Sequence, residues 1–192
     1  MLRGKELDKE EGELPEQPFV AYLDEDRIVA EASDLSVTYL ARGYGEKDEK
    51  TGKIILHPCE ALYLLQRERV HIMTVSNESV SFNQLVKILE KSNVNIWTDY
   101  VVFQDLRRRG YVVKEGFGPE FRFRVFERGS YETDTARFLI MLIIEGRNVD
   151  VETIKHLVGV SRGLKKKLIL SVVDRRNEVV YYLSSLVDLI NV

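Results

Sequence analysis

Beyond Gly110 the chain changes its hydrophobic period. From Asn95 to Arg109 the residues Trp97, Tyr100, Val101, Phe103 and Leu106 recur three and four apart, which lines them along one stripe of a helix. From Tyr111 the spacing falls to two. Tyr111–Lys114, Phe121–Glu127 and Arg137–Ile144 read as strands, and the middle one alternates Phe121, Phe123 and Val125 against Arg122, Arg124 and Phe126. Helical spacing returns over Val151–Lys167, with Lys165, Lys166 and Lys167 at the carboxyl end, where cations complement the macrodipole. Leu168–Val173 and Glu178–Leu183 then form two strands around a turn at Asp174–Asn177. These alternations exclude an all-helical or an all-strand chain. The second half is expected to be a mixed sheet with two packing helices, in a protein of α+β class.

The first half carries its own set of elements. Phe19–Leu23 and Arg27–Ala30 are expected strands around a turn at Asp24–Asp26, followed by a short helix over Ser33–Leu40 and a loop over Arg42–Lys53. Ile54–Leu56 and Val70–Val75 are strands flanking a helix that Pro58 opens. Ser79 or Ser81 caps a helix whose apolar positions are Phe82, Leu85, Val86 and Leu89. With 192 residues, 44% of them apolar, the chain has enough material for two small cores. Residues 1–18, acidic and without an apolar period, are expected to be a flexible leader. Residues 19–91 form an N-terminal α+β domain and residues 95–192 a C-terminal domain.

Charge is divided unevenly between the halves. Residues 1–94 hold 12 Lys and Arg against 18 Asp and Glu, a balance of −6, whereas residues 95–192 hold 16 against 13, a balance of +3. A phosphate-facing surface belongs in the second half. Cys59 is the single cysteine, so no internal disulfide forms, and His57, His71 and His156 are scattered without the spacing of a zinc site. No apolar run approaches the roughly 20 residues of a membrane span, and Met1–Glu13 lacks the apolar stretch of a signal peptide. The expected location is the cytoplasm.

Four segments resemble one known family. WTDYVVFQDLRRRGYVVKEG (Trp97–Gly116), HPCEALYLLQRERVHI (His57–Ile72), FERG (Phe126–Gly129) and LKKKLILSVVD (Leu164–Asp174) are similar to stretches of the archaeal tRNA-splicing endonucleases. The resemblance covers most of residues 54–183. It implies a nuclease-like C-terminal domain with a mixed central sheet flanked by helices. It also implies RNA cleavage without a metal or other cofactor, leaving 2′,3′-cyclic phosphate and 5′-hydroxyl ends. In that chemistry a 2′-hydroxyl attacks the adjacent phosphate, so a base must take a proton, an acid must give one, and a cation must steady the phosphate. Catalytic members of the family assign these tasks to a Tyr, a His and a Lys.

Only the cation is matched here. In Lys114–Phe121, KEGFGPEF, the position of the Tyr falls on Phe117, or on Pro119 in a shifted register, and neither carries a hydroxyl. In Ser130–Arg137, SYETDTAR, the position of the His falls on Thr135 or Ala136, and a Thr does not act as a general acid near neutral pH. Lys166 matches the Lys, with Lys165 and Lys167 as register alternatives. The resemblance therefore implies a non-catalytic structural subunit of a heterotetrameric endonuclease, with a catalytic subunit as partner and precursor tRNA as ligand. An active homomeric endonuclease is the alternative, with Tyr131 or Tyr111, His156 and Lys166 as displaced residues. If one helix carried both His156 and Lys166 they would stand about 15 Å apart, too far to share a phosphate. A metal-dependent nuclease is a third reading, for which the strands carry no Asp followed by Glu-x-Lys.

Other residues are expected to serve binding. Arg122, Arg124, Arg162, Lys165, Lys166 and Lys167 are candidates for RNA phosphates. Arg107, Arg108 and Arg109 read as a solvated helix end. By analogy with the family, the loop Glu145–Asp150 and the final strand, through Val179, Tyr181 and Leu183, are candidates for contact with the partner subunit.

Overall fold

In the computed structural model, residues 15–127, 131 and 135–186 are described. The chain forms two units, Met1–Gly110 and Tyr111–Val192. In the first, the strands β1 (Phe19–Asp24), β2 (Arg27–Ala30), β3 (Glu46–Lys47), β4 (Ile54–Leu56) and β5 (Val70–Thr74) make a sheet in the order β3-β4-β2-β1-β5. Alternation in β1 buries Phe19, Ala21 and Leu23 and turns Val20, Tyr22 and Asp24 outward. β1 pairs antiparallel with β2 and parallel with β5. The helices are α1 (Asp34–Ala41), α2 (Pro58–Gln66), α3 (Phe82–Leu89) and α4 (Ile96–Arg108), and α4 packs on α2 and α3.

Capping chemistry sets the helix starts. Ser33 Oγ accepts from the Ser36 amide, and Ser36 Oγ accepts in return from the Ser33 amide at 2.8 Å. At α2 the His57 imidazole accepts from the Cys59 amide, while Glu60 Oε2 accepts from the His57 amide at 2.9 Å. The same Glu60 oxygen accepts from the amide of Gly45 at 2.9 Å, so a carboxylate only 1% exposed ties the 42–53 loop to the helix. Gly45 sits at φ +76°, and a Cβ there would stand 2.6 Å from Ile54 Cγ2.

Aromatic rings fill the space between these elements. Phe19, Tyr39, Tyr44, Tyr63 and Phe103 form a chain of contacts with centroid separations of 4.9, 6.2, 6.2 and 5.8 Å. Arg107 joins them. Its guanidinium lies 3.8 Å from the Tyr44 ring centroid, with Nε donating to the Tyr44 hydroxyl and Nη2 to the Arg42 carbonyl. At 3% exposure Arg107 is a buried tether, which corrects the expected solvated helix end; Arg108 and Arg109 are exposed. Residues 1–14 of the expected leader lie outside the described residues. The next two are held in place: the Pro15 carbonyl accepts from the Tyr39 hydroxyl and the Glu16 carbonyl from Arg69.

In the second unit, β6 (Val112–Glu115), β7 (Phe123–Phe126), β8 (Phe138–Ile144), β9 (Lys167–Val173) and β10 (Val179–Ser184) lie in the order β10-β9-β8-β7-β6. Only β8 and β9 are parallel, and α5 (Val151–Gly163) connects them. Leu157 and Val158 of α5 pack with Leu139 and Leu168 of the sheet. Phe121 belongs to this same cluster, whereas Phe123 pairs with Ile140, the neighbour of Leu139 on the opposite face. Phe121, Phe123 and Val125 are buried while Arg122, Arg124 and Phe126 are half-buried, in line with the expected alternation, although the strand proper starts only at Phe123. The α5 helix is also shorter than expected. It ends at Gly163 with Leu164 as its C-cap, Lys165 turns the chain at φ +57°, and Lys167 already belongs to β9.

Candidate RNA-facing site

The turn from α5 into β9 concentrates positive charge. Arg162, Lys165, Lys166 and Lys167 line one groove together with Leu183, Ser184 and Leu186, and its volume is about 430 Å³. Ser161 stands on its wall, 1% exposed, with a hydroxyl that has no hydrogen-bond partner among the described residues. Lys166 is half-buried and donates from Nζ to the carbonyl of Ala136. This contact spans 30 residues of sequence. It brings Lys166 to the segment Thr135–Ala136, the two residues that the resemblance places together with it. Thr135 itself is exposed.

Phe117 stands on the loop between β6 and β7. Gly116 donates its amide to the Arg122 carbonyl at 3.0 Å and approaches so closely that a Cβ would lie 1.5 Å from the Phe121 carbonyl oxygen. That contact fixes the base of the loop. Phe117 remains 58% exposed, and Arg124 holds its guanidinium 5.1 Å from the ring centroid. Arg124 Nε in turn donates to the Glu115 carbonyl at 2.7 Å. Pro119 is exposed on the same loop. Neither position offers a group that exchanges a proton.

The displaced candidates lie elsewhere. His156 is exposed on α5 and lines a different groove with Glu152, Lys155, Gly159 and Leu186. Tyr131 packs edge-on against Phe126 at 5.0 Å, with the Lys114 ammonium 5.9 Å from its ring. Tyr111 packs edge-on against Phe138 at 6.4 Å. Of the predicted RNA contacts, Arg162, Lys165 and Lys167 are exposed, while Arg122 and Arg124 are half-buried, Arg122 on the loop that carries Phe117 and Arg124 on β7 after it.

Two of the expected partner residues also have local tasks. Glu145 Oε2 accepts from the Arg175 amide at 3.2 Å, which braces the β9–β10 turn. The Asp150 carboxylate caps α5 by accepting from the Glu152 and Thr153 amides. Val179, Tyr181 and Leu183 share one face of the edge strand β10, and Leu183 is 60% exposed. Sequence spacing did not single out the other face, where Val180 and Tyr182 are 50% and 55% exposed. The signal was available: two adjacent apolar pairs in VVYYL leave neither face polar.

The family model of the tRNA intron endonuclease N-terminal domain matches residues 20–86, and that of its catalytic C-terminal domain matches residues 96–181. A tRNA-splicing endonuclease of Pyrococcus furiosus is 31% identical over 162 residues, covering 84% of this chain and 92% of the relative. One from Thermococcus onnurineus is 32% identical over 167 residues, covering 86% and 95%. One from Methanococcus vannielii is 30% identical over 168 residues, covering 88% and 94%. The chain belongs to the tRNA-splicing endonuclease family. Its α+β architecture and its pair of family domains agree with the expectation from sequence. The C-terminal family model starts on α4, whereas the contacts group α4 with the first unit.

Proposed function

We propose that this chain is the structural, non-catalytic subunit of a tRNA-splicing endonuclease, joining a catalytic subunit in a heterotetramer that removes introns from precursor tRNA at bulge-helix-bulge sites. The single observation that carries this reading is the setting of Lys166. Its ammonium reaches the Ala136 carbonyl, beside Thr135, and the stretch Ser130–Arg137 contains no histidine. Phe117, at the position of the base, presents a bare ring. A positioned base or acid contributes roughly 10²- to 10⁴-fold each, so a cation alone leaves little cleavage. The exposed apolar residues of β10 and its open edge support a partner strand there. Arg162 and Lys165–Lys167 supply phosphate contacts for the cytoplasmic RNA. Catalysis comes from the partner, by the metal-independent route that leaves a 2′,3′-cyclic phosphate.

The reading is tested by co-expression with a catalytic chain of the same family and assay of each alone and both together on an intron-bearing tRNA. Cleavage only by the mixture is the expected result. Full cleavage by the catalytic chain alone, unaffected by this one, would oppose it.

A further inference from the structure

Where a catalytic member would hold a phenol, this chain holds an aromatic ring backed by a guanidinium. We infer that Phe117 and Arg124 form a stacking platform for one unpaired base of the RNA; this rests on the reading that the chain handles precursor tRNA. The platform is built from fixed parts. Gly116 pins the loop against the Phe121–Arg122 backbone, and Arg124 is anchored by the Glu115 carbonyl. The guanidinium lies 5.1 Å from the ring centroid, yet 58% of Phe117 remains open to solvent. A large exposed ring on an ordered loop costs contact with water and contributes nothing to either core.

The chemistry of the surroundings selects the occupant. A cation on one side draws the ring's π density toward itself, leaving the far side better suited to the electron-rich face of a base. Lys114 stands opposite Arg124 in the β6–β7 register but is only 4% exposed, so the cation beside the ring is Arg124, whose charge favours a ligand with phosphates. Pro119 and Glu120 on the same loop are exposed, and a Cβ on Gly118 would meet nothing within 4 Å, so the loop is open beyond the ring. That open space accommodates a flat base and its sugar. Base-on-aromatic stacking of this kind tolerates any base and contributes measurably to single-strand affinity.

The test uses the full chain and a hairpin RNA carrying one unpaired fluorescent adenine analogue, with a deoxy sugar at the junction to block cleavage; a fully paired hairpin is the control. Binding of the wild-type chain is expected to quench the analogue. Phe117→Ala is expected to abolish the quench and to weaken binding between about fivefold and 150-fold, with a smaller loss on the paired hairpin. Phe117→Tyr should retain both, since the ring is kept, whereas Trp97→Ala, an exposed aromatic of the first unit, should change neither. Thermal unfolding of each variant separates loss of the ring from loss of the fold. Equal affinity and equal quenching for wild type and Phe117→Ala would overturn the inference, as would failure of the wild-type chain to bind the RNA. An all-ribose version read separately for cleavage keeps the two ideas apart: cutting by the chain alone would sink the non-catalytic reading and leave the stacking result standing.

Discussion

The two units spend their polar and aromatic residues differently. In the first, Glu60, Arg107, Tyr39, Tyr44 and Tyr63 are all within 3% of full burial, and hydrogen bonds join elements far apart in sequence. In the second, Tyr182, Leu183 and Phe117 are more than half exposed, and the lysines of the α5–β9 turn line an open groove. Buried polar groups hydrogen-bonded across distant elements favour one arrangement, whereas exposed rings and cations lower no folding free energy. The first unit is thus built for rigidity, and the second carries the exposed surfaces to which the proposed function assigns RNA and a partner subunit.

Substituting one residue type in both units sharpens that contrast. Tyr44→Ala empties a ring site in the aromatic chain and strips Arg107 of its hydroxyl partner, so a loss of about 4 kcal/mol is expected in denaturant unfolding. Tyr182→Ala, on the exposed strand, should cost under about 0.5 kcal/mol in the isolated chain. Equal losses would erase the distinction. Next in size is Glu60→Ala, which leaves the buried amides of Gly45 and His57 without their shared acceptor and is expected to destabilise by about 2–3 kcal/mol.

Leu183→Asp should leave the melting temperature of the chain close to wild type while weakening capture by a catalytic subunit more than about tenfold in a pull-down titration. Unchanged capture would remove β10 from the partner surface. The last effect is confined to alkaline pH and concerns Tyr100. Burial pushes its phenol up to about 12 from 10.0, against the opposing pull of Arg108 and the hydrogen bond from Gln104. The fold favours the neutral phenol, so this contribution is complete below pH 10 and is lost as pH rises toward 12. Tyr100→Phe should therefore flatten the alkaline fall in thermal stability over that interval, measured by circular dichroism. Tyr39, also raised by burial, retains its own part of the slope.

Local signals in the sequence were dependable where period and caps agreed. Ser33, Pro58 and Ser81 mark helix starts because their side chains or ring satisfy constraints within three residues. The two-residue strand β3 was hidden in a glycine-bearing loop because its pairing with β4 is all that defines it. The burial of Arg107 has no local signal, because the ring that shelters it, Tyr44, is 63 residues away. Helical spacing extends four residues past the end of α5, through Lys167, because lysine favours helices and nothing local shows that Lys165 adopts φ +57°. The contact of Lys166 with Ala136 likewise required the parallel β8–β9 pairing. What the sequence did expose was chemical: the residue types at Phe117 and Thr135 are independent of folding.

The most direct measurement is the single-turnover cleavage of an intron-bearing tRNA by this chain purified by itself. The expected rate is indistinguishable from that of RNA without protein, and His156→Ala and Tyr131→Phe leave it unchanged. Robust cutting at the intron junctions, lost on either substitution while the fold persists, would contradict the account.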